Sequence, residues 1–289
     1  MVTDQQGNKW YKVGLHIHTT MSDGRKTPSE VIRRYRAEHY DAIALTDHWH
    51  FAQGDWCDGM LILSGCEYNA PEHDAIRGVM HIVGVGMETP PAVTLESTRE
   101  EIVEQISTCG GLAILAHPAW SMNTLDDARA LPGIAHTEVY NAVSEAHQSI
   151  RAYSEFFVDM CANAGIYYGL LATDDTHYYD GTDDCKGWVM VRAEELSREA
   201  ILNALRANDY YATQGPQLYV RREQDRFIVE CSPCAYVAVM SNSVWTDGRV
   251  LRGEALTHFV YEIQPIDRWI RIQVCDSAGK LAWSRVYQV

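Results

Sequence analysis

Over the first two thirds of the chain, short β-rich runs alternate with helical patterns, and this alternation restricts the fold more than any other feature. The runs are YKVGLHIH, DAIALTDH, MLILSGCE, MHIVGVG, LAILAHP, HTEVYN and YYGLLATDD. The helices between them carry start and stop signals. TPSEVIRRYRAEH has Thr27 as N-cap, Pro28 in the first turn and Glu30 to complete a capping box. STREEIVEQIS repeats the device with Ser97 and Glu100, IRAYSEFFVDMCANAG stops at Gly165, and SREAILNALRAND is capped by Ser197. Strand–helix alternation predicts parallel strands, in an α/β barrel or an open α/β sheet. From Leu218 onward the pattern changes to LYVRRE, RFIVECS, YVAVMSN, HFVYEIQ, WIRIQVCD and LAWSRVYQV, with turns at Asp247-Gly248 and Ala278-Gly279. That change predicts a small all-β, sandwich-like domain and divides the chain into residues 1–214 and 215–289.

Polar residues interrupt the apolar runs at one end. His16 and His18 close the first run, with Asp23 in the following loop; His48 closes the second and Glu67 the third. His81 opens MHIVGVG after its methionine, His117 closes LAILAHP, and Asp175 and His177 follow the last strand. His16 and His18 are spaced two apart, so in a strand both side chains share a face. Taken alone, the pair reads as a satisfied core histidine beside an exposed one rather than as two metal ligands. Nine such residues gathered where ligands collect in α/β folds point to a metal site.

The ordered set H-x-H, S-D-G, T-D-H, G-x-E, a lone His, A-H-P and D-x-H resembles the PHP superfamily, the polymerase and histidinol phosphatase family of metal-dependent phosphoesterases. The resemblance covers residues 12 to about 180 and includes SDGRKTPSEVI and EVYN. It implies a distorted (β/α)7-type barrel, followed by the sandwich-like domain. It also implies a trinuclear centre: His16, His18, Glu67 and Asp175 on one ion, Glu67 bridging to a second held by His81 and His117, and Asp23, His48 and His177 on a third. Mixed imidazole and carboxylate donors suit Mn²⁺, Zn²⁺ or Fe²⁺, two to three ions in all, and an aspartate at position 23 tilts the choice toward a harder ion.

The activity implied is hydrolysis of a small phosphomonoester or nucleotide-like phosphodiester by a metal-bridging hydroxide, with Glu67 in the catalytic set. His50 is a candidate proton donor to the leaving group. Arg25, Lys26 and Arg77 are candidate phosphate clamps or, equally, solvated surface charges. Asn141, at the same rim, is a candidate substrate contact. Asp47 and Asp174 stand beside ligands, as outer partners or as caps. Trp49 and Trp120 follow ligands and read as pocket wall or as packing. His39, His73, His136, His147 and His258 have no motif context.

Composition narrows the partners. A net charge of −15 disfavours extended nucleic acid and anionic membrane, and no apolar stretch approaches a membrane span. Without an apolar leader at its start, the chain reads as cytoplasmic. The eight cysteines are scattered, and Cys231-x-x-Cys234 has no second pair to complete a zinc site. Three alternatives remain. One is a carbamate or carboxylic ester hydrolase on the same metals, and another is an oligonucleotide exonuclease. The third, a scaffold without metals, conflicts with the cost of burying unpaired histidines and carboxylates. The C-terminal domain offers a surface for homo-oligomer formation.

Overall fold

Thr27 begins the helix Pro28–Ala37: its side chain accepts from the Glu30 N–H while the Glu30 carboxylate takes the Thr27 N–H, as the capping box requires. Val31, Ile32 and Tyr35 form its buried face, against Ile17, Ile43 and Ile62. The second helix, Arg99–Thr108, is capped one residue later than the sequence predicts, by Thr98 with Glu101. Ser97 is not free to cap it, because its hydroxyl accepts from the Thr94 N–H in the preceding turn (3.1 Å). The helix expected over 150–165 is shorter, Glu155–Asn163. Ser154 turns its hydroxyl to the Ala119 N–H (3.2 Å) instead of capping it, and Gly165 closes the segment at φ +84°.

The computed structural model describes residues 1–69 and 78–289. Five strands form one sheet in chain order: Gly65–Asn69, His81–Val85, Leu112–Leu115, His136–Asn141 and Gly169–Thr173. In a second, 13-stranded sheet, Lys9–Gly14, Ala42–Ala44 and Met60–Leu63 are parallel neighbours. The two sheets are stitched together at the ends of these strands. On one side the Asp175 N–H donates to the His16 carbonyl (2.9 Å) and the His18 N–H to that of Thr176 (3.2 Å). On the other, the Glu67 N–H donates to Asp47 (3.2 Å) and the Trp49 N–H to Glu67 (2.9 Å). Backbone pairing therefore joins the segments that carry His16, His18, His48, Glu67 and Asp175.

In the five-stranded sheet one strand departs from the parallel pattern. His81–Val85 runs antiparallel to both neighbours, with His81 paired to Asn69 and Ile82 to Leu115. This reversal explains why His81 stands at the start of its run while the other strand-borne histidines stand at the ends.

After residue 215 the strands extend an existing sheet, where the sequence pattern predicts a separate sandwich-like unit. Leu281–Trp283 pairs with Tyr210–Thr213, which would otherwise present an open edge. The two runs RFIVECS and YVAVMSN are a single strand, Arg226–Ser241, whose register shifts between Glu230 and Tyr236. Trp10, Met190 and Tyr211 pack in one cluster with Phe227, Val229, Ile270 and Ile272, so the core also crosses that point. The helix Glu155–Asn163 is tied to the late strands through Glu155 to Trp283 (2.7 Å), Asn163 to Trp269 (3.1 Å) and a two-bond Asp159–Arg271 pair (2.6 and 2.9 Å). Among the described residues no helix is long and apolar enough to cross a membrane.

Candidate metal centre

His16 Nε2 and His18 Nε2 lie 3.1 Å apart. Both face the same Glu67 oxygen (3.1 and 3.0 Å) and the same Asp175 oxygen (3.2 and 3.1 Å). The other Glu67 oxygen faces His81 Nδ1 (3.0 Å) and His117 Nε2 (3.5 Å). Farther out, Asp23 faces His177 Nε2 (3.3 Å), His18 Nδ1 (3.4 Å) and His48 Nε2 (3.9 Å). These donors fall into three contiguous groups that share Glu67 and His18. The nine residues expected as ligands are therefore brought together.

Three observations make the set fit divalent ions. Donor atoms about 3.0–3.5 Å apart span the edges of a coordination shell with bonds near 2.1 Å. The imidazoles are aimed from behind: His16 Nδ1 meets Glu138 (2.7 Å), His18 Nδ1 meets Ser22 Oγ (3.3 Å), His117 Nδ1 meets Ser121 Oγ (3.0 Å) and His177 Nδ1 meets the Asp175 carbonyl (2.6 Å). The buried His48 Nδ1 has no hydrogen-bond partner although Glu67 lies 3.3 Å away. Two of the expected ligands, His117 (φ 29°) and Asp175 (φ 51°), also occupy the left-handed region that side chains avoid, as strained functional positions often do.

The electrostatics agree. Burial alone would strip His16 and His18 of charge, but Asp175 and Glu67 outweigh it, with Glu138 aiding His16 and Asp23 aiding His18, and raise both well above the usual imidazole value. Burial would likewise raise Glu67 and Asp175, yet the surrounding histidines hold both far below the carboxylate range. Such a cluster stabilises positive charge at its centre. His48 goes the other way, driven by burial toward the neutral form that ligates.

Glu138 has no role assigned from sequence, yet it organises the site. One oxygen holds His16; the other accepts from the His117 N–H (2.8 Å) and Asn141 Nδ2 (2.8 Å). Its signal is a carboxylate inside a fully buried strand, HTEVYN. Asn141, expected to touch substrate, is buried, with its amide turned to Glu138, to Asp175 (3.1 Å) and to the Ser144 N–H (3.0 Å).

Asp47 and Asp174 hold loops, not imidazoles. Asp47 accepts from Thr19 and Ser22, fixing the loop that carries Asp23. Asp174 accepts from Tyr35 Oη and the N–H groups of residues 185–187, and burial pushes its carboxyl up to about 6 despite those bonds. Asp183, which forms an outlying acidic group with His147 and Asp180, binds the N–H groups of His177, Tyr178 and Tyr179. At Gly24 a Cβ would sit 2.6 Å from the His18 carbonyl, so close approach excludes a side chain.

Around this centre, Arg25 is exposed and stacks on the Tyr178 ring (4.4 Å), whose plane also stacks on His147 (3.9 Å). Lys26 lies 5.9 Å from the Tyr179 ring. His50 is exposed. Trp120 packs edge-on to His117 (4.8 Å) and near His81 (5.7 Å), while Trp49 bonds to Asn69 and packs edge-on to Tyr68. Arg77 and His73 lie outside the described residues.

The fold is shared, over 100% of this chain and 97% of the other, with a two-domain protein from Bacteroides vulgatus containing a predicted PHP-like metal-dependent phosphoesterase (TM-score 0.58, 15% identity). In sequence, 107 residues are 35% identical to the 3′,5′-nucleoside bisphosphate phosphatase of Chromobacterium violaceum. That match spans 34% of this chain and 36% of that protein. An amidohydrolase from the same organism, solved with bound sulfate and no metal, aligns at TM-score 0.43 and 20% identity over 59% of this chain and 89% of its own. No family model matches the chain.

Proposed function

We propose that the protein is a metal-dependent phosphoesterase that hydrolyses a small phosphomonoester or a nucleotide-like phosphodiester. The observation that carries this reading is Glu67: its two oxygens face separate donor groups, His16 with His18 and His81 with His117. Two to three ions of Mn²⁺, Zn²⁺ or Fe²⁺ would be held by His16, His18, Glu67 and Asp175, by Glu67, His81 and His117, and by Asp23, His48 and His177. Such ions supply Lewis acidity for phosphoryl oxygens and a water acidic enough to ionise near neutral pH.

The chain's own residues do the rest. Glu138 fixes His16 in one tautomer, and Asn141 links Glu138 to Asp175. Arg25, which lies over the Tyr178 ring, and Lys26 have no carboxylate partner among the described residues, which leaves both cations for substrate anions. The bisphosphate named for the Chromobacterium relative is the kind of substrate such a second anion site would accept. His50, exposed just past His48, is the proposed proton donor.

In this reading the strands joined end to end by residues 16–18, 46–49, 67 and 174–176 form a distorted seven-stranded barrel. Residues 1–214 carry the chemistry and 215–289 are an accessory β unit. The strand Val250–Glu262, exposed along most of its length and paired on one side only, supports self-association there. Eight free thiols suit a reducing cytoplasm. The second reading, hydrolysis of a carbamate or carboxylic ester, is favoured by the apolar wall of Trp120 beside His81 and His117. Elemental analysis with turnover of p-nitrophenyl phosphate, bis-p-nitrophenyl phosphate and p-nitrophenyl acetate separates them. Two to three metals per chain with phosphate-ester turnover, abolished in His16→Ala, supports the proposal. Acetate turnover alone moves the assignment to the ester hydrolase.

A further inference from the structure

A cleft lies away from the metal centre, at the opposite end of the strand Lys9–Gly14. Trp10 lines it, six residues and therefore ~20 Å along an extended strand from His16. Its volume is about 620 Å³, in the range that holds small ligands.

Two properties set its chemistry. First, it inverts the charge of the molecule: four arginines and three carboxylates line it, in a chain with 24 basic and 39 acidic residues. The carboxylates are already engaged. Asp209 takes Arg192 through two bonds (2.9 and 2.8 Å), Asp4 accepts from Asn8 and Trp10 (2.8 and 2.9 Å), and Glu230 accepts from Gln6 (3.2 Å). Arg222 and Arg285 instead reach only carbonyls, those of Gln224, Gln288 and Ala207 (3.2–3.3 Å), and have no carboxylate partner among the described residues. Second, the wall is aromatic. Half-buried Tyr219 packs at 5.2 Å from Trp10 and edge-on to Tyr211 (5.8 Å), and half-buried Tyr287 packs at 4.9 Å from Phe227 and carries Arg285 over its ring at 4.7 Å.

Two arginines without a carboxylate partner beside an aromatic wall recognise a specific chemistry. We propose that this cleft is a second ligand site, for a small anion that carries a planar ring. The guanidinium groups of Arg222 and Arg285 bind the anionic group, and Tyr219 packs against the ring. The site uses none of the metal-centre residues and does not depend on the phosphoesterase reading.

The test is titration calorimetry on the metal-loaded full chain with two probes that cannot be hydrolysed, anthranilate and phenylphosphonate, which separate carboxylate from phosphonate. Saturable binding of either, weakened tenfold or more in Arg222→Ala/Arg285→Ala and partly restored in the double lysine variant, is expected. Should the double alanine variant fail to melt cooperatively, Arg222→Gln alone is titrated, with the same loss expected. Equal affinity in wild type and variant places the probe elsewhere and overturns the site. Absence of saturable binding by both probes overturns it as well. Equal competition by acetate or inorganic phosphate removes the ring from the proposal and overturns it in this form.

Discussion

Glu138 shows how a single residue can matter without touching a metal or substrate. Its carboxylate fixes the tautomer of His16 while its second oxygen holds the His117 backbone and Asn141. Glu138→Gln keeps the shape but removes the charge, and metal affinity should fall about 10- to 100-fold, read by competition with a chromogenic chelator. Gly24→Ala should loosen the outermost group, because a Cβ must push against the His18 backbone at 2.6 Å; elemental analysis should then find fewer ions per chain. His136 makes a separate prediction. Burial lowers its imidazole to about 4, against 6.5 in an unfolded chain. Between those values the unfolded state binds more protons, so stability rises with pH through that window and is lost as pH falls through it. The full loss below pH 4 is about 3 kcal/mol. Acid unfolding of His136→Asn should show a shallower decline than wild type between pH 6.5 and 4. None of these roles was visible in residue type alone, since a buried Glu or His announces only that it has a partner, not which one.

Elements were legible where local chemistry decides them. The box of Thr27 and Glu30 formed as its spacing requires, and Ser197 caps Arg198–Arg206. The next box illustrates the limit. Ser97 and Thr98 are both competent caps, and the choice fell to Thr98 because Ser97 already serves the Thr94 turn. Thr98→Ala should therefore lower stability by about 1 kcal/mol in chemical denaturation. Loss of a similar size in Ser97→Ala with none in Thr98→Ala would contradict the cap assignment. Strand direction was less legible. The run MHIVGVG has the composition of its parallel neighbours, and its reversal is decided by pairing with Asn69 and Leu115.

For the molecule as a whole, ions that bind the folded state alone should stabilise it by mass action, about 2.7 kcal/mol at a hundred times Kd. Dialysis against a chelator should lower the melting temperature by roughly 4–5 °C at this chain length, and no shift would argue against a cluster loaded at that level. The continuous sheet makes another prediction. A chain ending at Gln214 would bare the edge of Tyr210–Thr213 and uncover Trp10, Met190 and Tyr211, so it should aggregate in light scattering where the full chain does not. The sequence by itself determined which residues are available for metal and on which ends of which runs they stand, because alternation and capping are local and the donor set is a matter of residue type. Only the tertiary structure decided that the strand of His81 runs backward, that Glu138 and not Asp47 or Asp174 supports an imidazole, that Asn141 is spent inside the protein, and that the late strands join the early sheet. Those outcomes depend on contacts between residues tens to hundreds of positions apart, where several pairings satisfy the same local pattern and packing selects one.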